Sequence, residues 1–318
     1  MRTTFKLLIS LTLFSSCQEN NSDSTDAKPV YFDYENSWEE RNLFGKVKSV
    51  STYRANYKSD TKLDEKRLQR RTWFTKFGAI KRAEYFETFG QKTQTESYEY
   101  DENKYFIKAI IENFPAKRKI IRTVKDDTIN KITSQKIYIN NNLTESFIVH
   151  YDKNGRIEKH LEIEDNDTIE YIHNLKLDAK KNLISERQIS SNSSKDKVVD
   201  SFAYDKDDRL IYSSNLTNST EFISIFEWKD DKLISEKNYF VYPDETKHLN
   251  SLTEYDNLYN PTNITKYTDE KPSQEYKYEY TFDQQNNWIK QTVYIKQIRN
   301  GKGDFVKAYA DSREIEYW

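Results

Sequence analysis

A short phrase recurs about every 26 residues between Phe74 and Trp288, starting at 74, 100, 124, 151, 177, 204, 228, 255 and 282. It consists of an aromatic or apolar residue, usually an Asp, three or four polar or turn-forming residues, then Ile, Leu or an aromatic. Full copies read Tyr151-Asp152-Lys153-Asn154-Gly155-Arg156-Ile157, Tyr204-Asp205-Lys206-Asp207-Asp208-Arg209-Leu210 and Phe282-Asp283-Gln284-Gln285-Asn286-Asn287-Trp288. Self-similarity at a fixed period marks a repeat architecture, in which each unit is one supersecondary element that cannot bury its apolar face alone.

The unit reads as a β-hairpin. Residues before each Asp alternate with period two, as in Tyr276-Lys277-Tyr278-Glu279-Tyr280-Thr281-Phe282, which sets four aromatics on one face and Lys, Glu and Thr on the other. With 24 Tyr, 17 Phe and 5 Trp against 6 Gly and 5 Pro, the composition suits strands. The Asp belongs at the first position of a type I turn, where its carboxylate accepts backbone N–H groups further on. Three residues later the chain needs a left-handed residue, a role suited to Gly78, Gly155, Asp208 and Asn286. Lys104 and Lys181 suit it poorly, so a different turn is expected there. A longer return loop follows each hairpin. The expected fold is therefore all-β: an antiparallel meander of about nine β-hairpin repeats, or roughly 18 to 20 strands, forming a curved or spiralled sheet with a small N-terminal cap.

The N-terminus reads differently. Arg2 and Lys6 precede the apolar stretch Leu7 to Phe14, too short to span a membrane, and Phe14-Ser15-Ser16-Cys17 resembles a bacterial lipobox. That resemblance implies a signal peptide over 1–16, lipidation at Cys17, attachment to a membrane through that lipid, and a flexible tether over 17–30. Gln18 after the cysteine favours the outer membrane, with the body facing the periplasm or the cell surface. Residues 31–73 read as the cap and first strands, with a short helix from Ser37-Trp38-Glu39-Glu40 to Leu43 and a covering role over the first sheet edge. The repeat domain is 74–318.

The Tyr-Asp-x-x-Gly-x-Ile units resemble YD (RHS-type) repeats, and the layout is similar to repeat-bearing lipoproteins of Bacteroidetes. The opening Leu43-Phe44-Gly45-Lys46-Val47 and the closing Asn287-Trp288 and Arg313-Glu314-Ile315-Glu316-Tyr317 carry the same likeness. It implies a fold rather than a reaction.

Few residues point to catalysis. Loss of Arg2 and Lys6 leaves 48 basic against 52 acidic residues, interspersed, so no basic patch points to nucleic acid. There is no nucleophile elbow and no phosphate-cradling Gly-rich loop. The Asp-rich turns lack calcium-loop spacing, and His150, His160, His173 and His248 lack zinc spacing. No metal, no cofactor and no catalytic residue is expected. Lys and Glu interrupt both strand faces, unlike a transmembrane barrel. The expected function is a non-catalytic envelope lipoprotein that binds or scaffolds through its sheet, its partner an envelope protein or a glycan. One alternative is glycan capture by Trp228, Tyr276, Tyr278, Tyr280 and Trp288, since aromatic faces stack on sugar rings and partner proteins. A carboxylate-dependent hydrolase is the more distant alternative.

Overall fold

The computed structural model describes residues 38, 41–87, 89–127, 129–151, 157–164, 167–177, 183–190, 195–207, 209–217, 220–244, 246–299 and 301–318. The signal peptide, Cys17 and the tether lie outside the described residues, as do the turns after Tyr151 and Leu177 that carry Gly155 and Lys181.

Twenty-one strands form one antiparallel sheet. The first six are β1 (Val47–Ser59), β2 (Lys62–Leu63), β3 (Arg67–Phe74), β4 (Ile80–Phe86), β5 (Lys92–Tyr100) and β6 (Phe106–Asn113). Next come β7 (Arg118–Asp127), β8 (Ile132–Ile139), β9 (Asn142–Tyr151), β10 (Ile157–Glu164) and β11 (Asp167–Leu177). They are followed by β12 (Leu183–Ser190), β13 (Lys195–Tyr204), β14 (Leu210–Leu216), β15 (Glu221–Lys229) and β16 (Lys232–Val241). The last five are β17 (Lys247–Tyr255), β18 (Pro261–Thr268), β19 (Lys271–Phe282), β20 (Trp288–Gln297) and β21 (Val306–Tyr317). The expected all-β meander is the observed fold, with slightly more strands than the repeat count implies.

From β3 to β21 each strand pairs with the next, as a succession of hairpins requires. β1 then pairs with β3 on one side and β21 on the other, from Val47↔Tyr317 to Asn56↔Tyr309. Every named strand except the two-residue β2 therefore has a hydrogen-bonded neighbour on both sides. β1, part of the block expected to cover the first sheet edge, does cover β3, and its own other side is covered by β21. The first strand's edge is satisfied by the last strand, which removes the unpaired N–H and C=O row that invites aggregation.

The turns explain why the repeat has its spacing. Asp256 accepts from the N–H groups of Leu258 and Asn260, and Asp283 from those of Gln285 and Asn287. Asp205 accepts from Asp207 and Arg209, and Asp101 from Tyr105. Thr75 substitutes a hydroxyl that accepts from Ala79. Three residues after these acceptors the chain turns left-handed at Gly78, Lys104, Tyr259 and Asn286. Lys104, at φ 70°, corrects the expectation of a different turn: four residues after Asp101, the carboxylate-bound amide fixes the backbone despite the side chain. The returns also differ from expectation. Asn140-Asn141 and Asp269-Glu270 are two-residue turns with both φ positive, as tight as any hairpin in the sheet.

The N–H groups of Arg41 and Leu43 both bond to the Trp38 carbonyl, with Arg41 in 3-10 conformation; residues 37, 39 and 40 of the expected short helix lie outside the described residues. This turn drops Leu43 onto Val47, Val50, Phe74 and Ile80, the sheet's main buried cluster, with Trp38, Tyr98, Ile315 and Tyr317 packed around it.

Candidate functional site

The opening and closing motifs of the sequence meet at the turn end of the sheet. Asn287, fully buried, accepts a hydrogen bond from the Phe44 N–H (2.7 Å) and donates to the Phe44 carbonyl (2.8 Å) and the Tyr317 hydroxyl (2.7 Å). Tyr317 in turn donates to Asp283, the acceptor of the last repeat turn. Burial and that carboxylate push its hydroxyl up to about 12. Asn42 donates to the Tyr259 carbonyl, and Trp38 lies within contact distance of where a Cβ on Gly78 would sit. Trp38, Asn42 and Phe44 thus lace the N-terminal segment across the turns after β3, β17 and β19. It locks the place where β1 joins both ends of the hairpin series.

Beside this lock is a groove of about 390 Å³, between the β3–β4 turn, β5 and the end of β21. Its walls include the rings of Phe77, Tyr100, Tyr98 and Trp318, the ammonium groups of Lys76 and Lys81, and the carboxylate of Asp101. Phe77 packs edge-on against Tyr100, with centroids 5.3 Å apart. Lys76 Nζ sits 5.5 Å and Lys48 Nζ 6.0 Å from the Trp318 ring. Trp318 is 51% exposed and Phe77 40%, so both present apolar surface to solvent. Tyr98 links the groove to the sheet face behind it, its hydroxyl donating to Glu96 at 2.7 Å.

The aromatics singled out from the sequence sit elsewhere. Tyr276, Tyr278 and Tyr280 share one face of β19, half-buried, while Lys277, Glu279 and Thr281 between them are exposed. Tyr278 stacks on Tyr280 with ring planes 14° apart, and burial among tyrosines pushes its hydroxyl up to about 12. Tyr280 donates to the Pro261 carbonyl and accepts from Gln291, and Tyr276 donates to Gln274. Trp288 lies 6.2 Å from Tyr280, with the Arg313 guanidinium 3.4 Å over its ring. Trp228 lies on β15, four strands before β19, and its indole N–H donates to the Leu210 carbonyl. The structure thus gathers Tyr276, Tyr278, Tyr280 and Trp288 into one patch and leaves Trp228 outside it.

Sequence reasoning missed Phe77 and Trp318. Phe77 falls inside a turn whose pattern draws attention to its acceptor, and Trp318 belongs to no motif of the repeat. The Asp-rich turn before β14 is an ion cluster rather than a cation cradle: Arg209 bonds Asp205, Asp207 and Asp231. Among the described residues no group of three or more His, Cys, Asp or Glu side chains is arranged to hold a metal.

No protein-family model matches this chain. No curated protein matches it in sequence. Among solved structures it is similar to a porin-like protein from Bacteroides uniformis, at 9% identity and a TM-score of 0.33, covering 85% of this chain and 96% of that one. It is also similar to a chain of the TcdB2-TccC3-Cdc42 crystal structure, at 10% identity and a TM-score of 0.19. That match covers 81% of this chain but spans only 19% of the other.

Proposed function

We propose that this chain is a non-catalytic binding module of the bacterial envelope, a YD-type repeat lipoprotein held to the outer membrane by lipid on Cys17. The observation that carries the binding reading is the groove beside the lock, where ring faces and ammonium groups are left exposed on an otherwise hydrogen-bonded sheet end. Such a surface holds a partner by stacking and charge without breaking a bond. The titrations agree with it. Every carboxylate with a resolved shift, including Glu84 and Glu279, is held below its ordinary range. Among the described residues every tyrosine with a resolved shift is pushed above its own, Tyr98 and Tyr255 chiefly by burial and Tyr294 chiefly by its hydrogen bond to Glu279. These groups move away from neutrality, whereas a general acid or base works with a pKa near the operating pH.

Within binding, the exposed rings of Phe77 and Trp318 favour a glycan partner. The test is titration with neutral oligosaccharides while following tryptophan emission. A saturable change that disappears in Trp318→Ala supports the glycan reading; a saturable change that survives in Trp318→Ala moves the ligand away from the groove. Protease treatment of intact cells, with Cys17→Ala as the control, tests the envelope placement independently. A Cys17→Ala protein that still partitions with membranes contradicts the lipid anchor.

A further inference from the structure

Behind the groove, on the face that carries the aromatic ladder, three arginines converge from separate parts of the chain. Arg70 on β3 and Arg313 on β21 both stand opposite Thr52 of β1, so the seam strand sets them two strands apart in one row. At about 4.8 Å per strand this leaves them close enough for their long side chains to meet. Arg41, from the lacing segment, approaches the same row. Burial and then the Arg70 charge lower its affinity for the proton, while Tyr85, Tyr98 and Glu96 act the other way. Arg313 is held down to about 9, by burial first and Arg41 next. A guanidinium keeps its proton at neutral pH, so these directions describe cations held together against their mutual repulsion.

The donors of this cluster are not spent. Arg313 Nε and Nη1 and Arg70 Nε are buried without a hydrogen-bond partner. Two other arginines of the sheet are paired with carboxylates. Arg54 forms a fork with Asp311 at 2.8 and 2.9 Å, and Arg209 holds three aspartates. The two carboxylates near the cluster are already occupied. Asp311 serves Arg54, and Glu96 accepts from Tyr85 (3.1 Å), Tyr98 (2.7 Å) and Gln94 (2.7 Å). Arg313 and Arg70 thus hold buried donors that neither of these carboxylates takes up. A ring surface completes the setting: the Arg313 guanidinium carbon is 3.4 Å from the Trp288 ring centroid, and that of Arg70 is 4.8 Å from the Tyr85 centroid. Stacking fixes the plane of each guanidinium and leaves its edge to a planar oxyanion.

We infer that Arg313, Arg70 and Arg41 form a binding site for an oxyanion, a carboxylate or phosphate group carried by a small molecule or an acidic glycan. The site rests on the reading of the chain as a binding module, but on neither its membrane placement nor the neutral-glycan groove. Calorimetric titration of the full chain in detergent tests it, with inorganic phosphate, galacturonate and neutral galactose as probes. Saturable heat with phosphate or galacturonate and none with galactose is expected, and the stronger of the two identifies the source. Arg313→Met and Arg70→Met are each expected to weaken that binding at least tenfold, while Trp318→Ala leaves it unchanged. A melting scan without anion supplies the second readout. Removing a buried cation whose donors have no partner leaves the melting temperature of Arg313→Met equal to or above that of the wild type, whereas removing a structural arginine lowers it. No saturable heat with either oxyanion overturns the inference, as does binding retained in both arginine variants or a lowered melting temperature for Arg313→Met. Oxyanion binding lost in Trp318→Ala but kept in the arginine variants overturns it too, while leaving the binding reading intact.

Discussion

The two ends of the sheet are built on different principles. At the turn end, side-chain acceptors Thr75, Asp101, Asp205, Asp256 and Asp283 each hold a backbone amide four residues on. The lacing segment buries Leu43 and Asn287 among these turns. At the return end the connections vary in length and carry no lacing segment, and Phe89, Phe114, Leu143 and Phe305 face solvent; Ile129, Phe77 and Trp318 do so at the turn end, so exposure alone does not separate the two ends. The repeat is therefore a statement about one end only. Its Asp and aromatic positions specify turns that pack against each other and against the N-terminal segment. The other end has only to bring the chain back. Grooves and charged clusters arise where such local order is dense, because packed turns hold side chains in fixed places.

That contrast can be broken by substitution. The largest effect is expected from Phe74→Ala, which empties the turn-end cluster and should cost about 3–5 kcal/mol in a denaturant titration. Asn287→Ala removes both bonds to Phe44 and the one to Tyr317, and should cost about 2–3 kcal/mol by leaving buried backbone groups unpaired. Alkaline titration sharpens the picture. The folded state holds the Tyr317 proton to about 12 against an ordinary value of 10.0, so folding strength is intact below about pH 10 and falls as pH rises towards 12. Tyr317→Phe should flatten part of that fall, read as melting temperature against pH. Lys104→Gly should stabilise by about 0.5–1 kcal/mol, because glycine adopts the left-handed turn position without a Cβ penalty. Phe89→Ser, at the return end, should stay within about 0.5 kcal/mol of wild type. A loss at Phe89 matching that at Phe74 would erase the difference between the ends.

Much of the turn end is legible from residue types. Asp283 followed three residues later by Asn286 predicts the observed left-handed turn, and the alternation over Tyr276 to Phe282 predicts the face that β19 presents. Lys104 and Tyr259 were not legible as turn residues, because the carboxylate of the preceding Asp fixes their backbone and their own side chains do not announce it. The seam was hidden for another reason. Alternation tells which face a side chain takes but not which strand lies beside it. Arg54 and Asp311, 257 residues apart, carry no local sign that they face each other. For the same reason the arginine cluster could not be read in advance: its three members come together only because β1 stands between β3 and β21.

Both candidate sites depend on that seam, since Trp318 and Arg313 approach the repeat turns only if β21 pairs with β1. The most direct test is a cysteine pair at Ser51 and Glu314, opposite partners across the seam, in a Cys17→Ala background. Opposed residues of antiparallel strands lie about 4.5–5.5 Å apart at Cα, within disulfide reach. Mild oxidation is predicted to give a monomeric, intramolecular disulfide in nearly all molecules, seen as a mobility shift reversed by reductant. Two thiols that stay free, or that link only between molecules, would contradict the seam and with it both sites.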